Sequence, residues 1–176
     1  MTRVLVSGFG PFGEVGLNPS AGLALAMHGQ VVGDVVCIGT VLPVSYERAG
    51  ALLLQRAAAI GAGAVLALGV ATHRSEVTVE RVARRRGGTL PDCDGRGWAP
   101  GPGPEEVLMP CDVAGLCVAL GATPSEDAGA YVCNATAWAL ATGFVGPSAF
   151  VHVPSDGTEL ERVRLAVLAL VQGAGK

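Results

Sequence analysis

Residues 64–70 read Ala-Val-Leu-Ala-Leu-Gly-Val, an unbroken apolar run with no polar position on either face of a strand. Such a segment must be covered on both sides, so it belongs at the centre of a sheet with helices above and below. Related runs at 3–7, 35–41 and 148–153 are read as further strands. Segments of helical character separate them. Asn18-Pro19-Ser20 opens the first, because the Asn18 side chain can accept a first-turn hydrogen bond and proline suits the first helical position. Residues 46–60 place apolar side chains at helical spacing, interrupted by Glu47, Arg48, Gln55 and Arg56. Residues 112–120, 130–142 and 158–172 supply three more helices. Strands alternating with helices give an α/β fold, a three-layer α/β/α sandwich with a mostly parallel sheet, read as one domain over residues 1–176. The stretch 76–83 differs. Val77 and Val79 alternate with Glu76, Thr78 and Glu80, the pattern of a half-buried strand, and it is expected to run antiparallel. Residues 84–105, rich in glycine and proline, read as loop.

Half the residues are hydrophobic but only 5% are aromatic, so small aliphatic side chains must fill the space between the layers. A formal charge of -3, with one basic cluster at Arg81 and Arg84-Arg85-Arg86, offers no footprint for nucleic acid. That cluster reads as a solvated strand end. No apolar run reaches the roughly eighteen residues a membrane helix needs, and the apolar run at the N-terminus is too short for a secretory signal. The expectation is a soluble, cytoplasmic protein. Five cysteines, with no C-x-x-C pair and no histidine near one, fit neither a disulfide framework nor a zinc site. No metal or other cofactor is expected, and the thiols should be reduced and mostly buried.

Three places could carry chemistry. Gly8-Phe9-Gly10-Pro11-Phe12-Gly13 fits the glycine pattern that holds a pyrophosphate after a strand. Pro11, however, lacks a backbone N–H, and the helix starts only at Asn18 or Pro19. A nucleotide-binding α/β domain is therefore the weaker use of this loop. Phe9 and Phe12 could instead plug the core or wall an apolar slot for a small ligand, with the Asn18 amide beside them. Asn18 is also the helix cap, and the two roles compete for one side chain.

Cys133 falls at the start of the helix after Gly129, where free N–H groups and the helix dipole predict a lowered thiol pKa. A lone cysteine is more often inert and buried, but His152 ends a strand nineteen residues later, and a positioned imidazole is what thiolate chemistry needs. His73 and His28 compete for the role of base. Glu80 reads by default as an edge glutamate facing water. Only the third place of a triad, holding the imidazole's tautomer, would give it another task.

Taken in order, these segments resemble pyroglutamyl peptidase type I over essentially the whole chain. Gly8-Phe9-Gly10-Pro11-Phe12-Gly13 with Asn18-Pro19-Ser20 is similar to the family's opening motif, and Leu42-Pro43-Val44-Ser45-Tyr46 to its next segment. Val79-Glu80-Arg81-Val82-Ala83, Leu90-Pro91-Asp92-Cys93-Asp94-Gly95, Ala128-Gly129-Ala130-Tyr131-Val132-Cys133-Asn134 and Phe150-Val151-His152-Val153-Pro154 follow in family order. The resemblance implies an α/β/α sandwich and a metal-free cysteine exopeptidase that removes an N-terminal pyroglutamyl residue from peptides, in assemblies of two or four copies. It assigns Cys133 as nucleophile, His152 as acid and base, and Glu80 as orienting carboxylate. Phe9, Phe12 and Asn18 would form the pyroglutamate pocket, with Val70 beside it where many members carry glutamine. Thr72-His73 and Ser155 also depart from the family pattern. A descendant that binds a lactam or amide without turnover, or with altered specificity, is the alternative these departures leave open.

Overall fold

The computed structural model describes residues 1–173. Fourteen elements follow in the order β1 (Thr2–Phe9), α1 (Pro19–Met27), β2 (Val31–Val32), β3 (Val35–Leu42), α2 (Arg48–Ile60), β4 (Ala64–Val70), β5 (Thr78–Glu80), β6 (Val82–Arg84), β7 (Glu106–Leu108), α3 (Val113–Leu120), β8 (Thr123–Ser125), α4 (Val132–Gly143), β9 (Ser148–Val153) and α5 (Leu160–Gln172). Seven strands form one sheet in the order β2-β3-β1-β4-β9-β5-β8. The pairings β1–β3, β1–β4, β4–β9 and β5–β8 are parallel, whereas β2–β3 and β5–β9 are antiparallel. The mostly parallel α/β/α sandwich expected from the sequence is the fold observed.

All seven residues of β4 are buried, as a strand covered on both faces requires. Side chains alternate between two cores. Val4, Val6, Leu66, Leu68, Val79 and Val151 pack with α1, α3 and α5 on one face. On the other, Leu5, Val65, Ala67 and Phe150 pack with α2 and α4. This parity decides what faces what. His152 lies two residues beyond Phe150, Gly69 two beyond Ala67, and Glu80 next to Val79. All three therefore point to the α4 side. The register adds a second constraint, since Gly69 is opposite His152 and Thr78 is opposite His152 from the other neighbour.

Three features depart from the sequence reading. The expected strand over 76–83 breaks at Arg81, whose N–H donates to the Ser125 carbonyl (2.8 Å) while its own carbonyl accepts from Met109 (2.9 Å). Beyond that break the chain leaves the main sheet and pairs as β6 with β7. The short strand β8, paired with β5 at the sheet edge, has no counterpart among the strands expected from the sequence. Helix α2 starts at Arg48 rather than Tyr46. Tyr46 spends its N–H on Asp92 Oδ2 (2.8 Å) and stacks its ring on Trp98, centroids 6.2 Å apart.

Candidate active site

The carboxyl ends of β1, β4 and β9 meet the N-termini of α1 and α4, where the chain has run outward from β1 in both directions along the sheet. A crevice is expected at such a switch point, and a cleft of about 710 Å³ is found there. Phe9, Phe12, Val70, Arg74, Cys133 and His152 all line it, as does Asn18.

His152 is buried on β9, and its Nδ1 lies 2.7 Å from Glu80 Oε1. Glu80 is not the solvent-facing edge residue that its alternating strand suggests by default. It has no exposed surface, enclosed with His152, Arg74 and Ser125 around its carboxylate. Burial alone would raise its carboxyl pKa. The hydrogen bond and charge of His152, followed by contacts from Ser125 and Arg74, outweigh this and hold it below its ordinary value. Glu80 thus stays ionised, and its contact fixes which imidazole nitrogen faces the carboxylate. The other, Nε2, is left for the cleft.

Cys133 is the second residue of α4 and half-buried against the cleft. Tyr131 caps the helix with no side-chain hydrogen bond, so the first-turn N–H groups keep no capping partner. The expected lowering of the thiol pKa does not follow. Burial of the sulfur, with the nearby charge of Glu80, pushes the thiol up to about 12, against weaker opposing pulls from Arg74 and a backbone N–H. The helix start is present, but the sulfur has lost more hydration than the dipole returns. A thiolate here must therefore form as its proton leaves for a base.

The two phenylalanines are not matched walls. Phe9 is 2% exposed and packs on Phe150 at a centroid distance of 6.4 Å, so it is core and cleft lining at once. Phe12 is half-buried, its ring 6.0 Å from Tyr131. Asn18 serves the scaffold first. Its Oδ1 accepts from Ser20 N (3.1 Å) and Ser20 Oγ (2.7 Å), and its Nδ2 donates to the Gly10 carbonyl (3.0 Å). The Phe9 N–H donates to Ser20 Oγ. These bonds use the donors a phosphate would need. Gly8 is glycine because a β-carbon there would fall 2.0 Å from the Ser20 carbonyl oxygen. The loop's glycine pattern therefore reports close strand–helix packing.

Of the competing histidines, His28 lies at the end of α1 with Nδ1 accepting from Gly39 N (3.2 Å), while His73 is exposed at the cleft rim. Among the described residues no group of three or more side chains could hold a metal, and no helix is long and apolar enough to cross a membrane. The basic cluster is paired residue by residue: Arg81 with Glu126, Arg84 with Glu106, Arg85 with Glu105 and Arg86 with Asp127.

Two positions escaped the sequence reading. Asn134, buried beside the cysteine, accepts from Arg84 N (3.0 Å) and donates to the Arg84 carbonyl (2.8 Å), fastening the start of α4 to β6. A polar amide in the first turn of an apolar helix was the available signal. Arg74 donates from Nη1 to Glu80 Oε1 (2.7 Å) and from Nη2 to the Asp127 carbonyl (2.7 Å). Nothing local in the sequence marks it.

A family model described as Pyroglutamyl peptidase matches residues 2–102. The pyrrolidone-carboxylate peptidase of Halalkalibacterium halodurans is 33% identical across 74% of this chain and 70% of its own length. That of Pseudomonas fluorescens is 30% identical across 98% and 89%, a span that takes in Cys133 and His152. Among solved structures, the pyrrolidone carboxyl peptidase from Thermococcus litoralis superimposes with a TM-score of 0.86 at 27% identity, covering 99% of this chain and 93% of that one. The Thermus thermophilus enzyme gives 0.83 at 29%, covering 94% and 99%. With a family match over more than half its length, and relatives that extend it through the cleft, the chain belongs to the pyroglutamyl peptidase family.

Proposed function

We propose that this protein is a cysteine exopeptidase that removes an N-terminal pyroglutamyl residue from peptides, with Cys133, His152 and Glu80 acting together. The observation that carries this reading is the buried 2.7 Å contact between His152 Nδ1 and Glu80 Oε1 at the cleft that Cys133 also lines. Glu80 holds the imidazole with Nε2 toward the cleft. The Cys133 thiol passes its proton to Nε2 as sulfur attacks the pyroglutamyl carbonyl carbon. First-turn N–H groups of α4 face the developing oxyanion. Collapse of the tetrahedral intermediate breaks the C–N bond, and the imidazolium protonates the departing amine. Water, deprotonated by the same imidazole, then hydrolyses the thioester and returns the thiol.

The cleft lining supports the substrate class. A pyroglutamyl ring is an uncharged lactam, and Phe9, Phe12, Val44 and Val70 offer it an apolar surface. An ordinary N-terminus would have to bury an ammonium against that apolar surface, which is costly. The five free thiols fit work in a reducing cytoplasm. Assembly into two or four copies completes the reading and is checked by sedimentation.

The test is release of a fluorophore from a pyroglutamyl amide, beside the matching alanyl and prolyl amides. Turnover confined to the pyroglutamyl compound is expected. A folded protein that cleaves none of them refutes the peptidase and leaves a lactam-binding protein.

A further inference from the structure

Two nitrogens converge on one oxygen of Glu80. His152 Nδ1 and Arg74 Nη1 each lie 2.7 Å from Oε1. The same Arg74 Nη1 also donates to Thr78 Oγ1, and Nη2 donates to the backbone carbonyl of Asp127 at 2.7 Å. Asp127 belongs to the connection between β8 and α4, the segment that runs through Ala128 and Tyr131 along the cleft to Cys133. The Arg74 side chain is only 18% exposed, so its contacts are little diluted by water. One planar group therefore touches the carboxylate of the buried pair and the backbone that presents the nucleophile.

We propose that Arg74 is a positioning residue of this site, its guanidinium holding the Glu80–His152 pair in register with the segment that delivers Cys133. The inference rests on the reading in which those three residues act together. A guanidinium suits the task because its donors are fixed in one plane on separate nitrogens, so Nη1 and Nη2 reach two acceptors that a single ammonium nitrogen on a flexible stem would have to meet from one point. Its charge acts in the same direction as its geometry. The titratable and charged groups acting on Glu80 are His152 from β9, Arg74 from the β4–β5 connection and Cys133 from α4, with the Ser125 hydroxyl from β8 beside them. Arg74 favours the carboxylate of Glu80 and the thiolate of Cys133, the two anions the reaction uses.

Arg74→Gln and Arg74→Lys, made in the full chain, separate geometry from charge. Turnover of the pyroglutamyl amide is measured across pH. Alkylation by iodoacetamide is followed on the Cys133 peptide by mass spectrometry, a readout that needs no turnover. Arg74→Gln is expected to lower kcat roughly tenfold or more with a smaller change in KM. It should also slow Cys133 alkylation at neutral pH and move the acid limb of the kcat profile upward by roughly one pH unit, since Glu80 loses a positive neighbour. Arg74→Lys keeps a positive charge on Glu80, and so the acid limb, but loses roughly threefold or more in kcat because one ammonium does not span both oxygens. An Arg74→Gln protein with the wild-type acid limb and alkylation rate, or an Arg74→Lys protein with wild-type kcat, overturns the proposal. If Arg74→Gln does not fold, Arg74→Lys decides alone. A wild-type chain that releases no fluorophore sinks the peptidase reading instead, and the alkylation rates then judge Arg74.

Discussion

Gly69 and Cys133 meet across the layer between β4 and α4: a β-carbon on Gly69 would stand 2.8 Å from Cys133 Sγ and 3.1 Å from the Phe150 ring. The glycine is thus the seat of the sulfur, one strand over from His152 in the sheet register. Gly69→Ala is expected to push the sulfur out of place. Overpacking of this kind costs about 1–3 kcal/mol of stability, while misplacing a reacting atom by about an ångström can cost up to a hundredfold in rate. Thermal melting and kcat on the same sample check both. A stable Gly69→Ala variant with wild-type kcat would show that the sulfur has room to spare.

Glu80→Gln keeps the shape of the buried group and removes its charge. We expect kcat to fall by roughly tenfold or more with little change in KM, because the lost interaction is with the imidazole rather than with substrate. Stability supplies a second readout. The Glu80 carboxyl is held below its ordinary value of 4.5 in the fold, so its contribution is present above that value and is lost as pH falls through the folded one. The difference in melting temperature between wild type and Glu80→Gln should shrink from about pH 6 to about pH 3. A change confined to KM would place Glu80 in substrate binding instead.

With the Cys133 thiol pushed up to about 12, its reactivity at neutral pH depends on a base to take the proton. His152→Ala should therefore abolish alkylation of Cys133 at pH 7, whereas His73→Ala, at the exposed rim, should leave most of the activity. The opposite pattern would transfer the role of base to His73.

Asn18 holds the first turn of α1 and the Gly10 carbonyl together. Asn18→Ala removes the cap and is expected to cost about 1 kcal/mol, the usual penalty for an amide cap. It should also raise KM, because the Gly10–Phe12 segment beside the cleft is released. Chemical denaturation and steady-state kinetics read the two effects. An unchanged KM would limit Asn18 to the scaffold.

What the residues alone determined is what periodicity and local chemistry carry. An apolar run such as 64–70 can only be a covered strand, so the layers and the mostly parallel sheet were legible. So was the cap at Asn18, seen with its expected hydrogen bond. Cys133, His152 and Glu80 were picked out by ordered motifs. What they do to one another was not legible, because it depends on contacts between residues far apart in the chain. Glu80 and His152 are separated by 72 positions, and whether a glutamate on an alternating strand meets water or an imidazole depends on what covers that face. Only the tertiary contacts of Glu80 with His152 and Arg74 settled it. Desolvation is likewise a property of the assembled core, which is why a helix start that should favour a thiolate holds a thiol that does not ionise unaided. Arg74 is the clearest case. Its importance comes entirely from the oxygens that the fold brings within reach of its two arms.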